Sequence, residues 1–301
     1  MNEITTLATE QRNENSFQID NMSTRDMLET INNEDMIVAQ KVRELIPTIE
    51  KVVDIVCESF LAGGRLFYVG AGTSGRVGVI DAVECPPTFS TPYHMVQAVM
   101  AGGESAFVKA IEGAEDDEDL GAEDLKKREL TAEDVVIGIA ASGRTPYVIG
   151  ALKYANTIEA KTVSLSSNDN ALIDQFSDVQ MNAVTGPEVL TGSTRMKAAT
   201  AHKLILNMIT TSSMIKLGKV YENLMVDVKV SNHKLAERAK HIIMLITKAS
   251  YEQAEKALEE AQNEVKVAIV IIETKRNYKQ AKRLLEEAKG FVRQAIQLAG
   301  K

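Results

Sequence analysis

Tryptophan is missing from the sequence, and tyrosine and phenylalanine supply only 5% of it, so no aromatic box for a sugar or a cation is implied. Cysteine is almost as scarce. Cys57 lies in an apolar helical pattern and Cys85 precedes Pro86, which excludes a disulfide scaffold or a thiolate metal cage. The four histidines, His94, His202, His233 and His241, are scattered and none sits in HExxH, so no metal is expected. No apolar run approaches the roughly 20 residues of a membrane span, and the polar start MNEITTLATEQRNENS is not a signal peptide. The cytoplasm is the expected location. Basic residues are outnumbered 34 to 42, and the net charge of -8 disfavours nucleic acid and anionic membrane as partners.

What is present is an ordinary globular composition, 45% hydrophobic and 25% charged over 301 residues, enough for one large core and a small second domain. The charge is uneven. From Asn232 onward there are 14 basic and 9 acidic residues, net +5, which leaves -13 on the rest and places a boundary near Val230 to Asn232. The expected organisation is therefore an N-terminal arm with helices over 1–62, an α/β domain over 63–230 and a small helical domain over 231–301.

The α/β domain is built around GRLFYVGAGTSGRVGVIDAVECPP, which starts at Gly64. Leu66 to Val69 read as a strand, Gly70, Gly72 and Gly75 as tight backbone at its C-terminal end, and the next residues as a helix of about three turns stopped by Pro86 and Pro87. The plan recurs at Val135 to Ala140, with a small-residue loop at Ala141 to Arg144, Thr145 as N-cap and Pro146 at the first helical position. Further strands are predicted at His94 to Val99, Lys161 to Leu165 and Asp178 to Asn182. Helices are predicted at Asn33 to Ala62 with a break at Pro47, Glu104 to Glu115, Leu120 to Glu133 and Thr200 to Leu217. Five more follow Lys234. Repeated strand–turn–helix units imply a parallel sheet whose loops share one edge, where such sheets bind ligands.

Two hydroxyl-bearing loops on that edge, Thr73-Ser74 and Ser142-Gly143-Arg144-Thr145, signal phosphate better than either alone. Neither contains Gly-Lys-Ser/Thr, so a nucleoside-triphosphate loop is excluded. A dinucleotide fingerprint lacks its acid at the end of a second strand, which argues against a nicotinamide cofactor. General acid–base work then falls to carboxylates, with Glu84, Glu115 and Glu188 beside the active edge. Glu115 opens a run of five acids that repel one another, a pattern that serves equally as a solvated face. Arg144, Arg195 and Lys197 are available for charge contacts, or for pairing with neighbouring acids.

The strings TEQRNENS, LFYVGAGTSGRVGVIDAVECPPTF, GAEDDEDLG, VIGIAASGRTPYV, GPEVLTGSTRMKAATAHKLILNM and LGKVYENLMVDVKVSN together resemble the N-acetylmuramic acid 6-phosphate etherase family. The resemblance implies a sugar isomerase (SIS) domain, a three-layer α/β/α sandwich around a five-stranded parallel sheet, followed by a small helical domain. It implies cleavage of the lactyl ether of a sugar phosphate, without a cofactor, by a homodimer whose site lies near the interface. Glu84 and Glu115 fall on the family's two catalytic glutamates. Thr73, Ser74, Ser142, Gly143, Thr145, Glu188 and Ser193 are the positions expected to hold the substrate and its phosphate. Ala140 stands where many sugar isomerases have a further serine. A sugar-phosphate isomerase and a non-catalytic sugar-phosphate sensor are the competing readings.

Overall fold

The computed structural model describes residues 6–109, 111–228 and 233–300. Short 3-10 turns carry the N-terminal arm into helix α1 (Thr24–Glu44), whose first turn is capped by the Ser23 side chain accepting from the Asp26 N–H. Pro47, at the start of α2 (Ile46–Leu61), marks the break between the two helices. Strand β1 (Leu66–Gly70) leads into α3 (Gly72–Phe89), followed by β2 (Val96–Met100), α4 (Ser105–Val108), α5 (Glu118–Lys126), β3 (Val135–Ile139), α6 (Pro146–Thr157), β4 (Lys161–Ser166), β5 (Val179–Asn182) and α7 (Lys197–Lys216).

The five strands form one parallel sheet in the order β2-β1-β3-β4-β5, the sheet that the alternating units imply. Phe67, Val69 and Val136 face a cluster containing Leu125 of α5 and Tyr147, Val148 and Leu152 of α6. The opposite face carries Tyr68, which packs on Gly78 of α3 and donates its hydroxyl to the buried Asp81. Helices on both faces give the three-layer sandwich. Burial raises the Asp81 pKa, and hydrogen bonds from Tyr68, Asn207 and Thr210 offset only part of the rise.

Two glycines bring α5 and α6 into backbone contact. A Cβ on Gly121 would stand 1.9 Å from the Tyr147 carbonyl oxygen, and one on Gly150 would stand 1.8 Å from that of Glu118. No other residue type fits at either place.

Two segments differ from their sequence reading. α3 does not stop before the prolines but runs through Pro86 and Pro87, which occupy its last turn. There their missing N–H groups withdraw the donors that the Ala82 and Val83 carbonyls would have had, and Ser90 N–H still closes the helix on Pro86. The helix expected over Glu104 to Glu115 is instead the short α4 and a 3-10 turn at Ala114–Asp116, with Gly113 left-handed between them; Ala110 lies outside the described residues. The Arg76 guanidinium donates to the carbonyls of Ala106 and Phe107, the two that a longer helix would have paired with its next turn.

By its contacts the chain divides into one unit of 1–83 with 93–210 and another of 84–92 with 211–301, two of the three divisions falling inside α3 and α7. The second unit has a two-stranded hairpin, β6 (Val220–Tyr221) and β7 (Leu224–Met225), and helices α8 (His233–Thr247), α9 (Tyr251–Glu260), α10 (Val265–Thr274), α11 (Tyr278–Glu287) and α12 (Val292–Ala299). Its core is the aliphatic stripe of α10, Ala268 to Ile271, packed with alanines of α9, α11 and α12. The boundary expected at Val230 to Asn232 lies outside the described residues. Among the described residues no helix is long and apolar enough to cross a membrane.

Candidate anion and acid–base site

β1 ends at Gly70, and the turn into α3 is possible only because two glycines meet backbone to backbone. A Cβ on Gly70 would lie 2.8 Å from Gly75 N, one on Gly75 would lie 2.7 Å from Gly70 O, and Gly72 opens the helix at φ +54. The first turn of α3 thus starts at the sheet edge with unpaired backbone donors, and the Thr73 and Ser74 hydroxyls stand beside them.

The second loop is built on β3 in the same manner. Gly143 has φ +71, and a Cβ there would press to 2.3 Å on the Ala171 methyl. The Ser142 hydroxyl accepts from the Arg144 N–H at 3.3 Å, which folds the loop over itself. Thr145 is the N-cap of α6 but its hydroxyl makes no capping bond, so it is available to a ligand.

Both helix N-termini open on one cavity of about 340 Å³. Thr73, Ser74, Ser142 and Thr145 line it together, with Arg144 and, on the turn after α4, the exposed carboxylates of Glu115 and Asp116. A ring of hydroxyls and helix N-termini holds a dianion without needing a full counter-charge, and a carboxylate nearby can move protons on whatever the anion anchors.

Three lining groups, Glu10, Gly192 and Thr194, are absent from the candidates that motif and spacing single out, because they come from distant segments. The arm that carries Glu10 is strapped down by Thr9. Its carbonyl accepts from Gly192 N–H at 3.2 Å, its N–H donates to Asn168 Oδ1, and its hydroxyl accepts from Asn168 Nδ2. Asn13 and Ser16 donate to the carbonyls of Pro187 and Val189 along the same loop. The only signal in the sequence is the polar string TEQRNENS, too hydrophilic for a packed helix yet placed ahead of a folded domain.

The other candidates take supporting places. Gly143 shapes the second loop without lining the cavity, and Ser193 sits between two residues that do line it. Glu188 is buried and caps α7, accepting from the N–H groups of Lys197 and Ala198 at 2.9 and 3.0 Å. Burial raises its pKa and those two donors partly offset the rise. Lys197 is likewise no surface cation: it is fully buried and paired with Glu34 of α1, which also accepts from Asn15. His202 is buried against the Ser167 hydroxyl, and burial pushes its pKa down to about 4, so it is neutral at physiological pH. Glu84 is exposed on α3, twelve residues beyond Gly72, and is not among the cavity's lining residues. Among the described residues no group of His, Cys, Asp and Glu is arranged to hold a metal ion.

The glucokinase regulatory protein N-terminal SIS domain matches residues 44–156, the SIS domain matches 120–211, and the C-terminal lid domain of glucokinase regulatory protein matches 222–266. The chain is 57% identical over 265 residues to the N-acetylmuramic acid 6-phosphate etherase of Bacillus subtilis (strain 168), covering 88% of this chain and 87% of that protein. It is 55% identical over 263 residues to the protein of that name from Clostridioides difficile (strain 630), covering 87% and 86%. A solved phosphoheptose isomerase from Neisseria gonorrhoeae is 18% identical, covering 63% of this chain and 98% of its own, with a TM-score of 0.48.

Proposed function

The chain belongs to the N-acetylmuramic acid 6-phosphate etherase family, and on that premise we propose that the cavity between the N-termini of α3 and α6 is where its chemistry takes place. The enzyme is a carbon–oxygen lyase of amino-sugar catabolism and peptidoglycan recycling. It cleaves the D-lactyl ether of N-acetylmuramic acid 6-phosphate to give N-acetylglucosamine 6-phosphate and D-lactate.

The observation that carries the assignment of the site is the convergence of four hydroxyls, two helix N-termini and the Glu115 carboxylate on one cavity. The phosphate is seated by Thr73, Ser74, Ser142 and Thr145, with Gly143 shaping the loop and Glu188 and Ser193 fixing the segment that closes it. Anchoring it there lets binding energy from a non-reacting group hold C2 and C3 in register. Opening the sugar ring exposes a C1 aldehyde that acidifies the C2 proton. A carboxylate removes that proton, the electron pair shifts into an enolate, and the C3–O bond breaks as lactate leaves with a proton from a second acid. Water then adds across the unsaturated aldehyde, its hydroxyl to C3 and a proton to C2. We assign Glu84 as the principal acid–base and Glu115 as its partner at the ether oxygen. The reading includes a homodimer with its site near the interface, and Glu84 is exposed on α3. The reading places the enzyme in the cytoplasm and requires no cofactor.

Lactate release by the purified protein, followed by mass spectrometry, tests the reading. Glu115→Gln is expected to slow that release by about 10²–10⁴, the usual share of one general acid, with KM within a few-fold. Isomerisation with the ether intact, or an unaffected rate in the variant, refutes it.

A further inference from the structure

Beside the anion cavity lies a smaller one of about 140 Å³, joined to it through Ala71, Gly72 and Glu115, which line both. On the order of 10–15 Å³ suffices for one water molecule, so this recess takes a fragment of several heavy atoms. Its wall is divided by chemistry. Met100, Ala101, Ala106 and Ile111 supply apolar surface, and Arg76 lines the recess as its one cation among the described residues, together with the carboxylates of Glu112 and Glu115.

Arg76 is unusually well prepared for an anion. Its Nε–H and one Nη2–H donate to Phe107 O at 2.9 Å and Ala106 O at 2.7 Å. Those two groups share one edge of the guanidinium plane, so the bonds fix its orientation and consume that edge. A guanidinium has five N–H donors. Of the three left over, two share the Nη1–Nη2 edge and the third points along the Cδ side, and none meets a protein acceptor among the described residues. A pre-oriented free edge of this kind matches a carboxylate bidentately.

Resting on the etherase reading of the neighbouring cavity, we propose that this recess is the lactyl subsite: Arg76 takes the lactyl carboxylate, and the Met100, Ala101, Ala106 and Ile111 wall takes its methyl. Glu115 then stands at the junction of the two cavities, where the C3 ether oxygen must lie if phosphate and lactyl group occupy opposite sides. The subsite makes the lactyl group a recognised part of the substrate as well as the leaving group. The neutral acetamido group needs no cation, and it is present in substrate and product alike, which separates the two assignments.

The experiment compares KM for N-acetylmuramic acid 6-phosphate with the inhibition constant of N-acetylglucosamine 6-phosphate, which lacks only the lactyl group. Wild-type lactate release is measured first and reports on the etherase reading independently. Arg76→Gln is expected to raise KM about tenfold or more, the scale of a lost charge-assisted pair, while the product's constant moves less than about twofold. Ile111→Asp, at an exposed position of the wall, places a like charge in the recess and is expected to do the same without disturbing the Arg76 anchors. Parallel rises in both constants in both variants would show acetamido binding or a merely structural role and overturn the proposal, as would an unchanged KM in Ile111→Asp.

Discussion

Lys197 and Glu34 form an ion pair in which the side chains are 1% and 8% exposed, and this sets the scale of one perturbation. Replacing Lys197 by Met leaves Glu34 buried with Asn15 as a neutral partner and no cation. Burial would raise the Glu34 pKa, but the bonds and charge of Lys197 together with the asparagines hold it below its ordinary value. Removing one partner of such a pair costs about 3–5 kcal/mol, because the desolvated charge is stranded. At about 2–4 °C per kcal/mol for a unit of this size, thermal unfolding should move down by roughly 6–20 °C. Adding Glu34→Leu to Lys197→Met should recover most of that loss, since an apolar pair of similar volume carries no desolvation cost. Differential scanning calorimetry on the two single variants and the double variant completes a cycle. A single-variant loss below about 1 kcal/mol, or a double variant no more stable than Lys197→Met, would refute the assignment of this pair as a desolvated strut.

Two further outcomes are expected. Glu84→Gln should abolish exchange of the substrate C2 proton with solvent deuterium, read by NMR, while phosphate-bearing ligands still bind; undiminished exchange removes Glu84 as the base. Asp134 is buried, which would raise its pKa, but Arg65 and the Thr131 N–H outweigh burial and hold it below the usual aspartate value. The folded state therefore binds fewer protons than the unfolded one, so this contribution is present above the unfolded value near 3.9 and is lost as pH falls through the lower folded value. Asp134→Asn should flatten the decline of the urea midpoint below about pH 4, and an identical acid decline in the variant would count against it.

Strand–loop–helix units were legible because they depend on local signals: apolar β-branched runs, glycine at the turn and proline at the first helical position. β1, β3 and the Ser142 loop fall within a residue or two of where those signals put them. Glu104 to Asp116 was not legible, because what ends α4 is a distant guanidinium taking its carbonyls, and no local rule contains Arg76. Pro86 and Pro87 misled in the opposite sense: the helix continues through both and ends at Phe89, although each withdraws a donor from the turn before it. Glu10 was out of reach because its position depends on Thr9, Asn168 and Gly192 meeting across the whole domain. Composition alone could not decide the fate of Lys197 either, since a surface cation and a buried strut are written with the same letter.

The meeting of α5 and α6 at Gly121 and Gly150 has a meaning for inheritance as well as for packing. α5 begins three residues after Glu115, and α6 begins one residue after Thr145, so the rigid contact between their backbones is also the ruler between the proposed acid and the proposed phosphate seat. A side chain at either glycine cannot be absorbed by a neighbour shifting its rotamer, because what it strikes is carbonyl oxygen. In a survey of tolerated substitutions these two positions would score with the glutamates proposed for catalysis although they line no part of the cavity. Variation that retunes the site must arrive instead through loops and the arm, where the chain still has room to change.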